Sequence, residues 1–147
     1  MHRSGTSMVA AMLRACGVHM GEGNDLVPPA ADNPRGFGEH RQVVHIDDRL
    51  LASLCGAWDL PPAELERVEW WAAERLGGLR DHARRTLAGL ASGADGGHWG
   101  MKDPRLSLTL PFWRSLLGDH RVVVCVRNPL EVAASLVARN GDRKSVV

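Results

Sequence analysis

Arg121-Val122-Val123-Val124-Cys125-Val126 is the stretch that most limits what this chain can become. A continuous apolar run dominated by β-branched valines has the composition of a strand buried on both faces, as in a parallel sheet covered by helices. The exit from the run is equally legible. Asn128 has N-cap chemistry, Pro129 suits the first helical position, and Glu131 completes a capping-box-like arrangement ahead of Val132, Ala133, Leu136 and Val137. Arg127 is therefore expected at the C-terminal end of a strand, where open α/β sheets bind ligands. Ser135 can share a ligand with it only if the helix flanks the groove, and the helix is expected to stop at Arg139-Asn140-Gly141.

A second, shorter strand signal, Trp99-Gly100-Met101, runs into Lys102-Asp103-Pro104-Arg105. Three charges at the end of a buried strand are costly unless they are paired or bind something. Lys102 and Arg105 are favoured here as ligand-facing cations. Asp103 is favoured as the cap of the next helix and the partner of Arg105.

The chain opens on His2-Arg3-Ser4-Gly5-Thr6-Ser7 and passes at once into an apolar helical stretch, Met8 to Cys16, with Gly17 as its stop. A glycine lets backbone N–H groups converge on a charge, and a helix N-terminus adds unpaired donors and the positive end of its dipole. Arg3, Thr6 and Ser7 add side-chain donors, which makes phosphate or sulfate the natural guest. Ordinary turn and N-cap composition reads the same way, so the turn alone weighs the two evenly.

Between these segments the periodicity is helical. Residues 18–38, rich in Gly and Pro, form a long connection that is either a substrate-facing loop or a disordered one. Val43, Ile46, Leu50 and Leu54 mark a helix from Glu39 to about Leu54, with Asp47, Asp48 and Arg49 as its solvated side. A long helix is predicted over 63–90, weakest at Gly77-Gly78, and another over 106–117 containing Pro111. Cys16, Cys55 and Cys125 lie in apolar or helical surroundings without metal-ligand spacing, which predicts buried thiols in a reducing compartment.

A chain of 147 residues with 24% charged residues fits one globular domain, 1–147. The net charge of +1 gives no polyelectrolyte argument for nucleic acid, so any positive field is local. With neither a signal peptide nor a run of 18 apolar residues, the expectation is a cytoplasmic protein with no membrane partner.

Taken together, the segments resemble the sulfotransferase superfamily, specifically the bacterial sulfotransferase-like proteins of P-loop type. In that family an Arg/Lys-Ser-Gly-Thr-Thr/Ser turn wraps the 5′-phosphosulfate of the donor PAPS, and Arg3, Ser4, Gly5, Thr6 and Ser7 are similar to that turn. Arg127-Asn128-Pro129 with Ser135 is similar to the second motif, which binds the 3′-phosphate. Asn33-Pro34-Arg35-Gly36-Phe37-Gly38-Glu39 and Trp99 to Arg105 resemble segments typical of the bacterial group. The resemblance implies an α/β fold, a P-loop-like three-layer sandwich around a parallel sheet. It also implies that the sheet is incomplete here, because relatives carry an apolar strand before the turn and further helices beyond the second motif. On that reading the chain is a partial domain.

The activity implied is in-line transfer of the sulfonyl group of PAPS to a hydroxyl or amine on a small-molecule or glycan acceptor, releasing 3′,5′-ADP. No metal is needed for it. Relatives use a His or Glu as general base, which makes Glu39 the first candidate and His40 the reserve, with Lys102 or Arg105 orienting the sulfonyl group or an acidic acceptor. Two alternatives stand beside this. One is a P-loop nucleotide kinase-like protein, disfavoured because the turn lacks the Gly-rich spacer and the phosphate-reaching Lys; the other is a non-catalytic nucleotide-binding fragment.

Overall fold

The computed structural model describes residues 4–30 and 33–144. Its helices are α1 (Thr6–Ala15), α2 (Arg41–Ser53), α3 (Gly77–Gly93), α4 (Leu106–Arg114) and α5 (Pro129–Lys144). Short 3-10 turns at Gly23–Asp25, Ala63–Glu66, Trp70–Ala72 and Glu74–Leu76 punctuate the connections.

Helix α2 is the axis of the core. Val43, Ile46 and Leu50 recur at three- and four-residue spacing and are fully buried, with Leu51 and Leu54 nearly so. Against this stripe pack Leu76 and the α3 residues Ala83 and Leu87 on one side, and Phe112 and Trp113 of α4 on another. The two α4 aromatics meet edge to face, with ring centroids 5.7 Å apart. Trp70 closes the same cluster, with Trp71 set edge-on to it at 6.1 Å.

The end of α1 follows from its glycine. Gly17 sits at φ +87°, its N–H donates to Arg14 O, and the next N–H, of Val18, donates back to Leu13 O. This is the paired hydrogen-bond pattern that closes a helix through a left-handed residue.

The expected parallel sheet and three-layer α/β sandwich are not what the chain adopts: among the described residues there are no strands, only isolated bridges. The Trp99 segment makes one parallel bridge to His19, through His19 N–H to His98 O at 2.9 Å and Gly100 N–H to His19 O at 2.8 Å. Arg121–Val126 carries no assigned secondary structure, and Val126 is 87% exposed. The physical reason is that β-propensity measures fit to a pleated, half-buried surface, and that surface has to come from neighbouring strands. The rest of the described chain supplies helices, so the valine run has no ladder to join.

The long helix expected over 63–90 is also replaced. Three 3-10 turns occupy its first half and α3 begins only at Gly77. Glu69 at φ +55° breaks the register, leaving Val68 exposed while Trp70 and Leu76 turn into the core. Gly77 and Gly78 thus open a helix instead of weakening one. Helix α4 ends at Arg114, before the expected Leu117, and α5 runs past the expected stop to Lys144. The apolar residues of α1 are mostly outside, with Ala10 the buried one and Met12 exposed. Cys16 and Cys55 are exposed free thiols and Cys125 is half-buried, against the expectation of buried ones.

These burial differences predict a contrast in stability. Ile46→Ala should cost about 2–5 kcal/mol in urea unfolding, because a fully buried side chain leaves a cavity. Met12→Ala should stay within about 0.5 kcal/mol of the parent. Equal losses at the two positions would contradict this assignment of the core.

Candidate functional site

The N-terminal turn has the backbone its glycine suggests. Gly5 is the N-cap of α1 at φ +91°, a left-handed conformation strained for any side chain, and its carbonyl accepts from the N–H groups of Met8 (3.0 Å) and Val9 (3.2 Å). Among the described residues, nothing lies within 4 Å of where a Cβ would stand. Ser4 is buried behind it, and Thr6 and Ser7 form the first turn of the helix.

Lys102 reaches this turn from ninety-five residues away. Its ammonium donates to Ser7 Oγ at 3.2 Å, to the Phe37 carbonyl at 3.1 Å and to Glu39 Oε1 at 2.7 Å. An ammonium has three hydrogens, and these are three acceptors. Lys102 and Glu39 are both buried, so each charge depends on the other. The loop that delivers Phe37 and Glu39 lies close on α1: a Cβ on Gly38 would stand 3.2 Å from that of Ala10, and Gly38 itself is at φ +66°. Three sequence-predicted segments therefore meet at one nitrogen.

Glu39 precedes α2 instead of opening it, and His40 is the N-cap, its Nδ1 accepting from Gln42 N–H at 3.3 Å. The two neighbours diverge. Glu39 goes to Lys102, whereas His40 lines a separate polar cavity of about 190 Å³ with His19, Asp25 and Thr86. Burial lowers the His40 pKa below its ordinary value; the Asp25 carboxylate opposes this and His19 adds to it.

Arg105 is engaged internally. Its Nη1 donates to both oxygens of Asp103 (3.0 and 3.1 Å), and its Nε lies 2.7 Å from Asp48 Oδ1 without being aligned for a hydrogen bond. Burial pulls the guanidinium pKa down, but the Asp103 and Asp48 carboxylates outweigh it and hold it above its usual value. Asp103 also accepts from Arg105 N–H at 2.8 Å, so the expected pairing with Arg105 is present, but the N-cap of α4 is Arg105 itself and, among the described residues, no side chain caps that helix.

Arg3 lies outside the described residues. Arg127 stands on the surface, its Nε donating to Glu131 Oε2 at 2.9 Å, while Asn128 Oδ1 caps α5 through Leu130 N–H at 2.9 Å. Ser135 is half-buried on that helix. Pro129, Val132, Ala133 and Leu136 of α5 share a groove of about 380 Å³ with Pro104, Arg105 and Leu108, so the fourth segment lies along the third.

The residue that sequence reasoning missed is Asp47. Expected on the solvated side, it is fully buried, with Oδ1 taken by the Thr109 hydroxyl at 2.7 Å and Trp113 Nε1–H at 2.8 Å. Burial, then the nearby Asp103 charge, push its pKa up to about 8 against the pull of the Trp113 and Thr109 hydrogen bonds and of Arg105. The signal was present: Asp47 follows Val43 by four residues and precedes Leu50 by three, inside the apolar stripe. Among the described residues, no group of His, Cys, Asp and Glu could hold a metal ion, and no helix is long and apolar enough to cross a membrane. The chain matches no protein-family model, no curated protein and no solved structure.

Two outcomes follow from this geometry. Lys102→Met leaves Glu39 buried without its cation and should destabilise the protein by about 3–5 kcal/mol in urea, whereas adding Glu39→Gln to it should recover a measurable part. A double variant no better than the single one would show that the pair is not coupled. His40 is held below the ordinary imidazole value of 6.5, so between the two values the unfolded chain binds more protons. Its contribution is present above that value and is lost as pH falls through the folded one. His40→Asn, which keeps a capping acceptor, should flatten that part of the stability profile, and an unchanged profile would count against a buried imidazole as its source.

Proposed function

We propose that the Lys102 junction is the anion-holding end of a sulfonyl-transfer site that uses PAPS as donor and releases 3′,5′-ADP. The observation that carries this reading is the meeting of the Ser4–Ser7 turn, the Phe37–Glu39 loop and Lys102 at one ammonium. The donor set suits a phosphosulfate: a left-handed glycine turn at the start of a ten-residue helix, a serine hydroxyl and a lysine beside it.

PAPS, when bound, supplies a sulfonyl group on a phosphate whose bridging oxygen takes up negative charge as the S–O bond breaks. The work of this chain's residues is to hold that charge and to move one proton. The amides of the turn, the Thr6 and Ser7 hydroxyls and Arg3 stabilise the leaving phosphate, and Lys102 turns one of its three donors from its internal acceptors to the anion. Glu39, oriented by Lys102, takes the proton of the acceptor's hydroxyl or amine. His40 faces another cavity and is the weaker candidate. Arg105, neutralised by Asp103 and Asp48, braces the turn that carries Lys102. Arg127 and Ser135 take the 3′-phosphate, with Arg127 exchanging Glu131 for it.

Calorimetric titration of the whole chain tests this reading. We expect 3′,5′-ADP to bind at least about tenfold more tightly than 5′-AMP or ATP, and Arg127→Ala to remove that preference while leaving 5′-AMP binding unchanged. Absence of 3′,5′-ADP binding, or equal binding of ATP, would overturn it.

A further inference from the structure

The buried face of α2 at mid-helix holds one more carboxylate than the cations around it can serve. Asp103 meets the Arg105 guanidinium with both oxygens and receives the Arg105 backbone N–H as well. Asp48, more than half exposed, takes the other side of that guanidinium. Asp47, fully buried, is bonded by two neutral donors, Thr109 and Trp113, and its Oδ2 has no partner among the described residues. An ionised carboxylate in that position would leave a buried oxygen with no donor beside a second buried carboxylate.

A count of hydrogens gives the alternative. Thr109 Oγ1 lies 2.7 Å from Asp47 Oδ1 and 3.2 Å from the Arg105 carbonyl, yet a hydroxyl has one hydrogen. If Asp47 is ionised, both oxygens compete for that hydrogen and one contact is unbonded. If Asp47 carries a proton on Oδ1, it donates to Thr109 across 2.7 Å, Thr109 donates to Arg105 O, and Oδ1 still accepts from Trp113. All three contacts are then bonded, and the Oδ2 that still lacks a donor is a neutral carbonyl oxygen, which costs less to bury than half of a carboxylate. Of the two buried acids Asp103 has the cation, so the proton belongs on Asp47.

We propose that Asp47 is a neutral carboxylic acid that donates its proton to the Thr109 hydroxyl, which donates its own hydrogen to the Arg105 carbonyl, and that this chain fastens the Lys102–Arg105 turn and α4 to α2. The fastening is independent of the nucleotide reading, and it makes the stability fall as pH rises toward the titration of the buried acid. The charged groups that bear on Asp47 are Asp103 and Arg105 from the turn; α4 offers it Thr109 and Trp113, and α3 directs His82 to Gln42 and His45 instead. Once Asp47 ionises, it repels Asp103 and Thr109 must give up one acceptor.

The sign follows from proton counting. Unfolded, this aspartate is ionised above its ordinary value of 3.8; folded, it stays protonated. Between those limits the native state binds one proton more, so stability falls as pH rises until the buried acid itself titrates. The test is a titration of the whole, unmodified chain with ¹³C-labelled aspartate. We expect the Asp47 Cγ resonance to keep the position of a protonated acid at pH 7 and to move only above it. A carboxylate position at pH 7 would overturn the proposal, whatever the protein does with nucleotides. A second measurement is the urea unfolding constant of Asp47→Asn relative to the parent from pH 5 to pH 8. It should shift in the variant's favour by about tenfold per pH unit; a ratio that does not change with pH would overturn the proposal equally. Should Asp47→Asn fail to fold, the resonance titration decides alone.

Discussion

One buried ammonium organises the N-terminal half of this structure. Lys102 joins residues 95, 65 and 63 positions away in sequence, and each bond satisfies a hydrogen that would otherwise be costly to bury. Lys102 thus ties the Ser4–Ser7 turn, through Ser7, to the Phe37–Glu39 loop, which is also fixed by the Val27 N–H donated to Glu39 O at 2.8 Å. The helical core of α2, α3 and α4 is the firm wall behind this junction, because that is where the fully buried Val43, Ile46, Leu50, Phe112 and Trp113 lie.

Behind Lys102 stands a second polar layer. Arg105, two positions beyond Asp103, gathers Asp103 and Asp48, and Thr109 ties the Arg105 carbonyl to Asp47 on α2. The Lys102–Arg105 segment is thus gripped from both ends, by Glu39 at the first and by the aspartates at the second. On the proposed reading, such a segment would keep its shape if a ligand drew one donor of Lys102 away, which is what an anion site requires of its frame. The two layers also divide the charges: Lys102 stands beside the Gly5 turn with Glu39 as its carboxylate, whereas Arg105 is paired with Asp103 and Asp48.

What could be read in the sequence was local. The α2 stripe, the left-handed stop at Gly17, the Asn128 cap and the pairing of Asp103 with Arg105 each depend on residues within a few positions of one another. Reading failed where the outcome depends on distant partners. The Arg121–Val126 run has every local mark of a buried strand, but a strand exists only with a neighbour, and the described chain provides none. Conversely, Asp47 looked like a surface residue because charge was weighed above register; its place between Val43 and Leu50 put it in the core. The link from Lys102 to Ser7 had no sequence signature beyond the resemblance of both segments to one family.

The central claim is that a phosphate-bearing ligand is held where the N-terminal turn meets Lys102. It is tested most directly by following backbone amide resonances of the whole chain as 3′,5′-ADP is added. The account predicts that Gly5, Thr6, Ser7 and Lys102 shift together and saturably, while Arg80, Arg84 and Arg85 on α3 stay still. Shifts centred on α3, or none at all, would contradict it.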